Sequence, residues 1–173
     1  FKGISNKIKK DFDDLLKNNS AILQSLGLGY KNIYNKKIIS KYKKFSQIRV
    51  IGMGGSVLGT ETIYDFLKYK IKKKFTFHNN LQSKINTNNL KKAKVNLIIS
   101  KSGNTIETIS NSNVMIKNND HNIFITEDKK SYLYSLAKKL KADVIHHNNF
   151  IGGRYSVLSE VGMLPAELMG LNI

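Results

Sequence analysis

From Ile48 onward, short apolar runs alternate with longer stretches of helical spacing, the pattern that builds a parallel sheet with helices on both faces. The runs are Ile48 to Ile51, Phe75 to Phe77, the continuous set Val95, Leu97, Ile98 and Ile99, then Ile123 to Ile125 and Val144 to His146. The third predicts a central strand buried on both faces, and it ends abruptly at Ser100. Between the runs, three sets fall at helical spacing: Leu58, Ile63, Phe66, Leu67 and Ile71; Ile106, Ile109 and Ile116; and Leu133, Leu136, Ala137 and Leu140. After Gly152 and Gly153, a last helix is predicted by Val157, Leu158, Val161, Leu164 and Leu168, with Pro165 expected to kink or restart it. The fold class that follows is α/β, a three-layer parallel sheet flanked by helices.

A length of 173 residues suits one ordinary domain. Ahead of the sheet, Ile4, Ile8, Phe12, Leu15 and Leu16 mark an amphipathic helix whose natural role is to pack on the outside. The expected division is therefore 1–46 as an N-terminal helical segment packing on the domain and 47–173 as the domain itself. No internal repeat is present, and Asn79 to Asn89, polar and rich in Asn, reads as a surface connection. Hydrophobic residues at 40%, charged residues at 24% and a single Pro exclude a disordered tail or a proline-rich spacer. No stretch approaches the roughly 20 apolar residues that cross a bilayer. Phe1 to Lys10 lacks a signal core, so a soluble cytoplasmic protein without a membrane partner is expected. The absence of Cys removes disulfides, thiolate metal sites and thiol nucleophiles, and none of the four His lies in an HExxH frame, so no metal site is expected.

A net charge of +17 attracts polyanions non-specifically. Against a dedicated nucleic-acid surface, Arg49 and Arg154 are the only arginines, and the lysines are spread through nearly every segment. No dedicated nucleic-acid partner is expected.

Three segments carry the chemistry. Gly52-Met53-Gly54-Gly55-Ser56-Val57-Leu58-Gly59 directly follows a strand and opens a helix, where glycines admit close approach and free amides favour a phosphate. Its spacing fits neither a dinucleotide fingerprint, which needs Gly where Val57 stands, nor a Walker loop, which needs Lys where Thr60 stands. A tight turn needing small residues is the plainer alternative. In Ser100-Lys101-Ser102-Gly103-Asn104-Thr105, Ser100, Ser102 and Thr105 offer three hydroxyls before a helix whose dipole favours a dianion. The alternative there is an ordinary N-cap by Asn104 or Thr105. In Gly152-Gly153-Arg154-Tyr155-Ser156, Arg154 can clamp an oxyanion without losing its proton, unless it merely pairs with Glu160. His146 and His147, at the preceding strand end, read as structural or solvent-facing. Two loops at the carboxyl ends of strands in one sheet meet where open α/β sheets bind ligands, which favours a shared phosphate site.

Together GMGGSVLG, SKSGNTIET and NFIGGRYSVLSEVG resemble the glucose-6-phosphate isomerase family, built from two sugar isomerase (SIS) domains of flavodoxin-like topology. The resemblance is loose before Arg49 and tight at the three loops, and the third segment resembles a family signature from Asn149 to Gly162. It departs mainly at Glu160, where a small residue is usual, so helix packing there is in question. The resemblance implies that Gly55, Ser56 and Gly153 contact the sugar phosphate. It also implies that Ser100, Ser102 and Thr105, with the backbone of Lys101, hold the phosphoryl group, and that Arg154 stabilises a cis-enediolate. It implies no metal or organic cofactor, and a homodimer when full-length. The family's catalytic Glu and the His and Lys that assist ring opening lie C-terminal to the signature helix. With Ile173 as the last residue, an N-terminal piece is expected, carrying the first SIS domain and most of the phosphate site. A non-catalytic sugar-phosphate-binding module of a regulator and a polyanion binder are the competing readings.

Overall fold

Each predicted apolar run becomes one strand of a single sheet. They are β1 (Gln47–Ile51), β2 (Lys74–His78), β3 (Val95–Ile99), β4 (His121–Thr126) and β5 (Asp143–His146). All neighbours pair in parallel in the order β2-β1-β3-β4-β5. The computed structural model describes residues 2–18, 20–27, 29–81 and 95–173. Most of the proposed surface connection at Asn79 to Asn89 lies outside them.

The chain forms two compact units, Phe1–Lys31 and Asn32–Ile173. The first holds α1 (Lys2–Lys17) and α2 (Ala21–Ser25), the latter capped by the Ser20 hydroxyl. Ile4, Ile8, Phe12, Leu15 and Leu16 form the predicted stripe on α1, each at least half exposed. The second unit adds to its strands α3 (Lys36–Tyr42), α4 (Gly55–Leu67), α5 (Ile106–Met115), α6 (Tyr132–Lys139) and α7 (Glu160–Met169). Among the described residues no helix is long and apolar enough to cross a membrane.

Strand side chains alternate between two apolar layers, as the period of two requires. Ile48, Val50, Leu97, Ile99, Ile123 and Ile125 pack with Tyr42, Val57, Val161, Leu164 and Leu168 on the side of α3, α4 and α7. Ile51, Ile98 and Phe124 pack with Met115, Leu133 and Ala137 on the side of α5 and α6. Every residue of β3 is buried, its four apolar residues as predicted and Asn96 with them. The flavodoxin-like three-layer arrangement is thus observed.

The apolar spacing located the helices without fixing which face is buried. Leu58, Phe66, Ile106 and Leu158 are 53%, 79%, 72% and 48% exposed, while Val57 and Thr60 turn inward on α4. Pro165 also behaves differently from expectation, for α7 runs unbroken through it. The chain restarts earlier, at the Ser159 cap that separates a 3-10 segment, Gly153–Leu158, from α7. A proline at 165 leaves the carbonyl of Val161 without its helical donor. The Thr60 hydroxyl of α4 supplies one at 3.1 Å, which makes good the lost hydrogen bond.

One polar row crosses the far end of the sheet. Arg49, Asn96 and Asn122 stand in register on β1, β3 and β4. The Arg49 guanidinium donates to Asn96 Oδ1 at 3.0 Å and to the Met115 carbonyl at 2.9 Å, and the Asn96 amide donates to Asp120 and Asn122. Burial lowers the Arg49 pKa, and Asp120 opposes that shift. A buried cation so fully engaged is structural, so Arg154 is left as the arginine of the carboxyl-end loops.

Candidate functional site

In the order β2-β1-β3-β4-β5 the chain reverses direction between β1 and β3, and the loops leaving those two strands diverge there. Such a switch point opens a crevice at the carboxyl ends of the strands. The β1 loop enters it tightly, since a Cβ on Gly52 would stand 2.9 Å from the Ile99 carbonyl of β3. The two segments singled out by their glycines and hydroxyls therefore flank one crevice.

Capping marks these helices as different. Asn35, Ser131 and Ser159 cap α3, α6 and α7 with side-chain hydrogen bonds. Neither α4 nor α5, the helices that open at the crevice, has a side-chain cap. The plain N-cap alternative for the second loop is not what forms. Thr105 Oγ1 instead lies 3.0 Å from Ser100 Oγ, and Asn104 Oδ1 accepts from the Tyr132 amide at the start of α6. Ser102 is exposed, and its hydroxyl accepts the Asn104 amide at 3.2 Å. Gly103 has φ 67°, and a Cβ there would stand 2.1 Å from Ser131 Oγ, so the hydroxyl loop is wedged against α6.

The third loop docks on the first. A Cβ on Gly55 would stand 2.2 Å from the Gly153 carbonyl oxygen, and the buried Ser156 hydroxyl donates to the carbonyls of Gly153 at 2.7 Å and Gly55 at 3.3 Å. Gly55 and Gly153 are thus in direct contact, with Ser56 on one side of the junction and Arg154 on the other. Arg154 is exposed and makes no ion pair or hydrogen bond among the described residues. The alternative pairing with Glu160 does not form. That glutamate is 1% exposed at the first turn of α7 and accepts the Ile33 amide at 3.0 Å, so the bulkier residue at this signature position is accommodated in the packing.

The second and third loops are also joined, by groups that sequence reasoning did not single out for it. The Lys101 ammonium donates to the Asn149 carbonyl and lies 3.8 Å from Glu127 Oε1, while Glu127 also pairs with Lys129. Burial raises the Glu127 carboxyl, but Lys129, Lys101 and His147 outweigh it and hold the group below the usual range. A carboxylate directly after the buried run of β4 was the available signal. Among the described residues no three His, Asp or Glu side chains gather as a metal site would need.

His147 is 1% exposed, and its Nδ1 faces the Asn148 carbonyl while Nε2 has no hydrogen-bond partner among the described residues. Burial lowers its pKa; Lys101 adds to the shift, and the Asn148 carbonyl, Glu160 and Glu127 oppose it. Near pH 7 the imidazole of the fold is therefore neutral and takes its proton only at lower pH than in the unfolded chain, where it does so below about pH 6.5. The unfolded state then binds more protons, so stability falls as pH drops from 7 toward 5. Urea midpoints at the two pH values should show this loss, and His147→Leu should reduce it.

The family model for phosphoglucose isomerase matches residues 34–172, which include all three loops. The chain belongs to the phosphoglucose isomerase family. It is 31% identical to a glucose-6-phosphate isomerase of Methanocaldococcus jannaschii, covering 95% of this chain and 44% of that one. To the glucose-6-phosphate isomerase of Acholeplasma laidlawii it is 35% identical, over 79% and 37% of the two chains. The chain thus spans less than half the length of these relatives. Among solved structures, a hypothetical protein of Thermus thermophilus superposes with a TM-score of 0.67 at 23% identity, covering 79% of this chain and 37% of that one, which supports the fold.

Proposed function

We propose that this chain is the phosphate-binding and enediolate-stabilising part of an enzyme that interconverts glucose 6-phosphate and fructose 6-phosphate. The observation that carries the reading is the pair of helices without side-chain caps, α4 and α5, opening on one crevice beside an Arg154 that is unpaired among the described residues. The first-turn amides of α5, the N-terminal end of the α4 dipole and the hydroxyls of Ser56, Ser100, Ser102 and Thr105 suit a phosphate dianion, with Gly55, Gly153 and the Lys101 backbone allowing close approach. Held by its remote phosphate, the sugar is oriented so that C1 and C2 stand near Arg154. Proton transfer between those carbons passes through a cis-enediolate, and a guanidinium stabilises the oxyanion that develops. The base that moves this proton, and the groups that open the ring, belong to chain outside these 173 residues. This segment alone is expected to bind sugar phosphates weakly and to be inactive, and the full-length enzyme to work as a homodimer without a cofactor.

Calorimetric titration of the 173-residue chain with fructose 6-phosphate at 50 and 200 mM salt tests this reading. Binding should weaken less than about tenfold and be competed by inorganic phosphate. A polyanion such as heparin, bound through several contacts to a merely basic surface, loses about 10³-fold or more over that range. No binding of fructose 6-phosphate at either salt concentration, beside heparin binding that collapses with salt and is not competed by fructose 6-phosphate, sinks the proposal. A full-length protein that binds the sugar phosphate without isomerising it would instead be a regulatory module.

A further inference from the structure

We infer that the Lys101 side chain is a positioning group that fixes the arginine loop against the hydroxyl loop, and that only its backbone faces the phosphate. The inference rests on the proposed sugar-phosphate site and adds a residue that acts through Arg154. Lys101 follows β3, and Asn149 follows β5, two strands away. Two strand spacings are about 9.5 Å, a gap that only a long side chain bridges. Both ends of Lys101 are engaged. Its carbonyl accepts the Glu127 amide at 3.1 Å and the Thr126 hydroxyl at 3.4 Å, while its ammonium reaches over β4 to the Asn149 carbonyl. Glu127, 7% exposed at the end of β4, lies beneath that ammonium and balances its charge. An ammonium held by a carbonyl and a nearly buried carboxylate is directed along the sheet top, away from the hydroxyls of its own loop.

The consequence falls on Arg154. Its loop is fastened at Asn149 by Lys101 and at Gly153 and Ser156 by the contact with Gly55. The guanidinium therefore extends from a segment fixed on both sides, which limits the ordering cost of placing it on a substrate oxygen. Free of Lys101, the segment from Asn148 to Gly152 keeps the Ile151 to Asn148 turn bond and the buried Ile151 as its own anchors.

The test uses Lys101→Met, which keeps the stem and removes the charge, and Lys101→Arg, which can still donate to Asn149. Amide exchange at Ile151 and Tyr155 should accelerate about tenfold in Lys101→Met and return to within about twofold of wild type in Lys101→Arg. Titration then compares inorganic phosphate with a five-carbon sugar acid 5-phosphate, whose carboxylate imitates the enediolate and needs Arg154. Lys101→Met should lose about tenfold for the sugar acid while changing little for phosphate, and Lys101→Arg should regain most of it. Unchanged exchange overturns the tie. Faster exchange with equal losses for both ligands makes Lys101 a merely structural or phosphate-binding residue and overturns the positioning role. Wild-type chain that binds neither ligand overturns the sugar-phosphate reading itself, a result distinct from a failure confined to the variants.

Discussion

Gly55→Ala should destabilise the chain by about 3 kcal/mol and weaken fructose 6-phosphate binding by more than about tenfold. The new Cβ would stand 2.2 Å from the carbonyl oxygen and 2.3 Å from the carbonyl carbon of Gly153, and 3.0 Å from the Arg154 nitrogen. These are backbone atoms, so no side chain can rotate out of the way and the junction itself must open. Opening it also lengthens the Ser156 bond to the Gly55 carbonyl and moves Arg154 away from Ser56. For a domain of this size the loss corresponds to a melting temperature lower by about 10 °C. Gly152→Ala is the control. Gly152 has φ −72°, and a Cβ there meets nothing closer than the Tyr155 ring at 3.6 Å, so its melting point should stay within about 2 °C of wild type. Equal melting points for Gly55→Ala and Gly152→Ala, measured by calorimetry, would show that the two loops do not meet as described.

The legible parts of this molecule are those that lie contiguous in the chain. Burial on both faces demands mostly apolar side chains, so β3 announces itself, and a loop between strand and helix exposes its chemistry as neighbouring letters. The resemblance to the family was legible for the same reason, since each of the three segments is a short unbroken string. What the sequence concealed are pairings across great separation. Thr60 satisfies Val161 from 101 residues away, which is why a proline that ought to break α7 does not. Ser156 reaches Gly55 across the same separation, and Lys101 reaches Asn149 across 48 residues. Periodicity could not orient the helices either, because α4 and the 3-10 segment carry leucines on their exposed sides as well as apolar residues inside. Asn96 was hidden inside an apolar run because its partners, Arg49 and Asn122, are supplied by neighbouring strands in register. Local physics is written locally, and the ties that hold the three loops against one another depend on the topology.

In the full-length enzyme, Arg154→Ala should lower kcat by about 10² to 10³ while leaving KM for fructose 6-phosphate within a few-fold of wild type. The division follows from where each group acts. On the proposed reading the phosphate is present and charged in the ground state, so the hydroxyl loop and the openings of α4 and α5 would hold substrate and enediolate alike, and this uniform binding would appear in KM. The charge on the enediolate oxygen exists only during reaction, and a permanently protonated guanidinium with no carboxylate partner among the described residues is free to meet it. Arg154→Lys should recover only part of the rate, because an ammonium supplies the charge without the planar fork that reaches two oxygens. Ser102→Ala should show the opposite signature, raising KM with little change in kcat. Steady-state kinetics of the three variants decide the matter. If Arg154→Ala raised KM and left kcat intact, the guanidinium would belong to ground-state binding, and the oxyanion would need another partner.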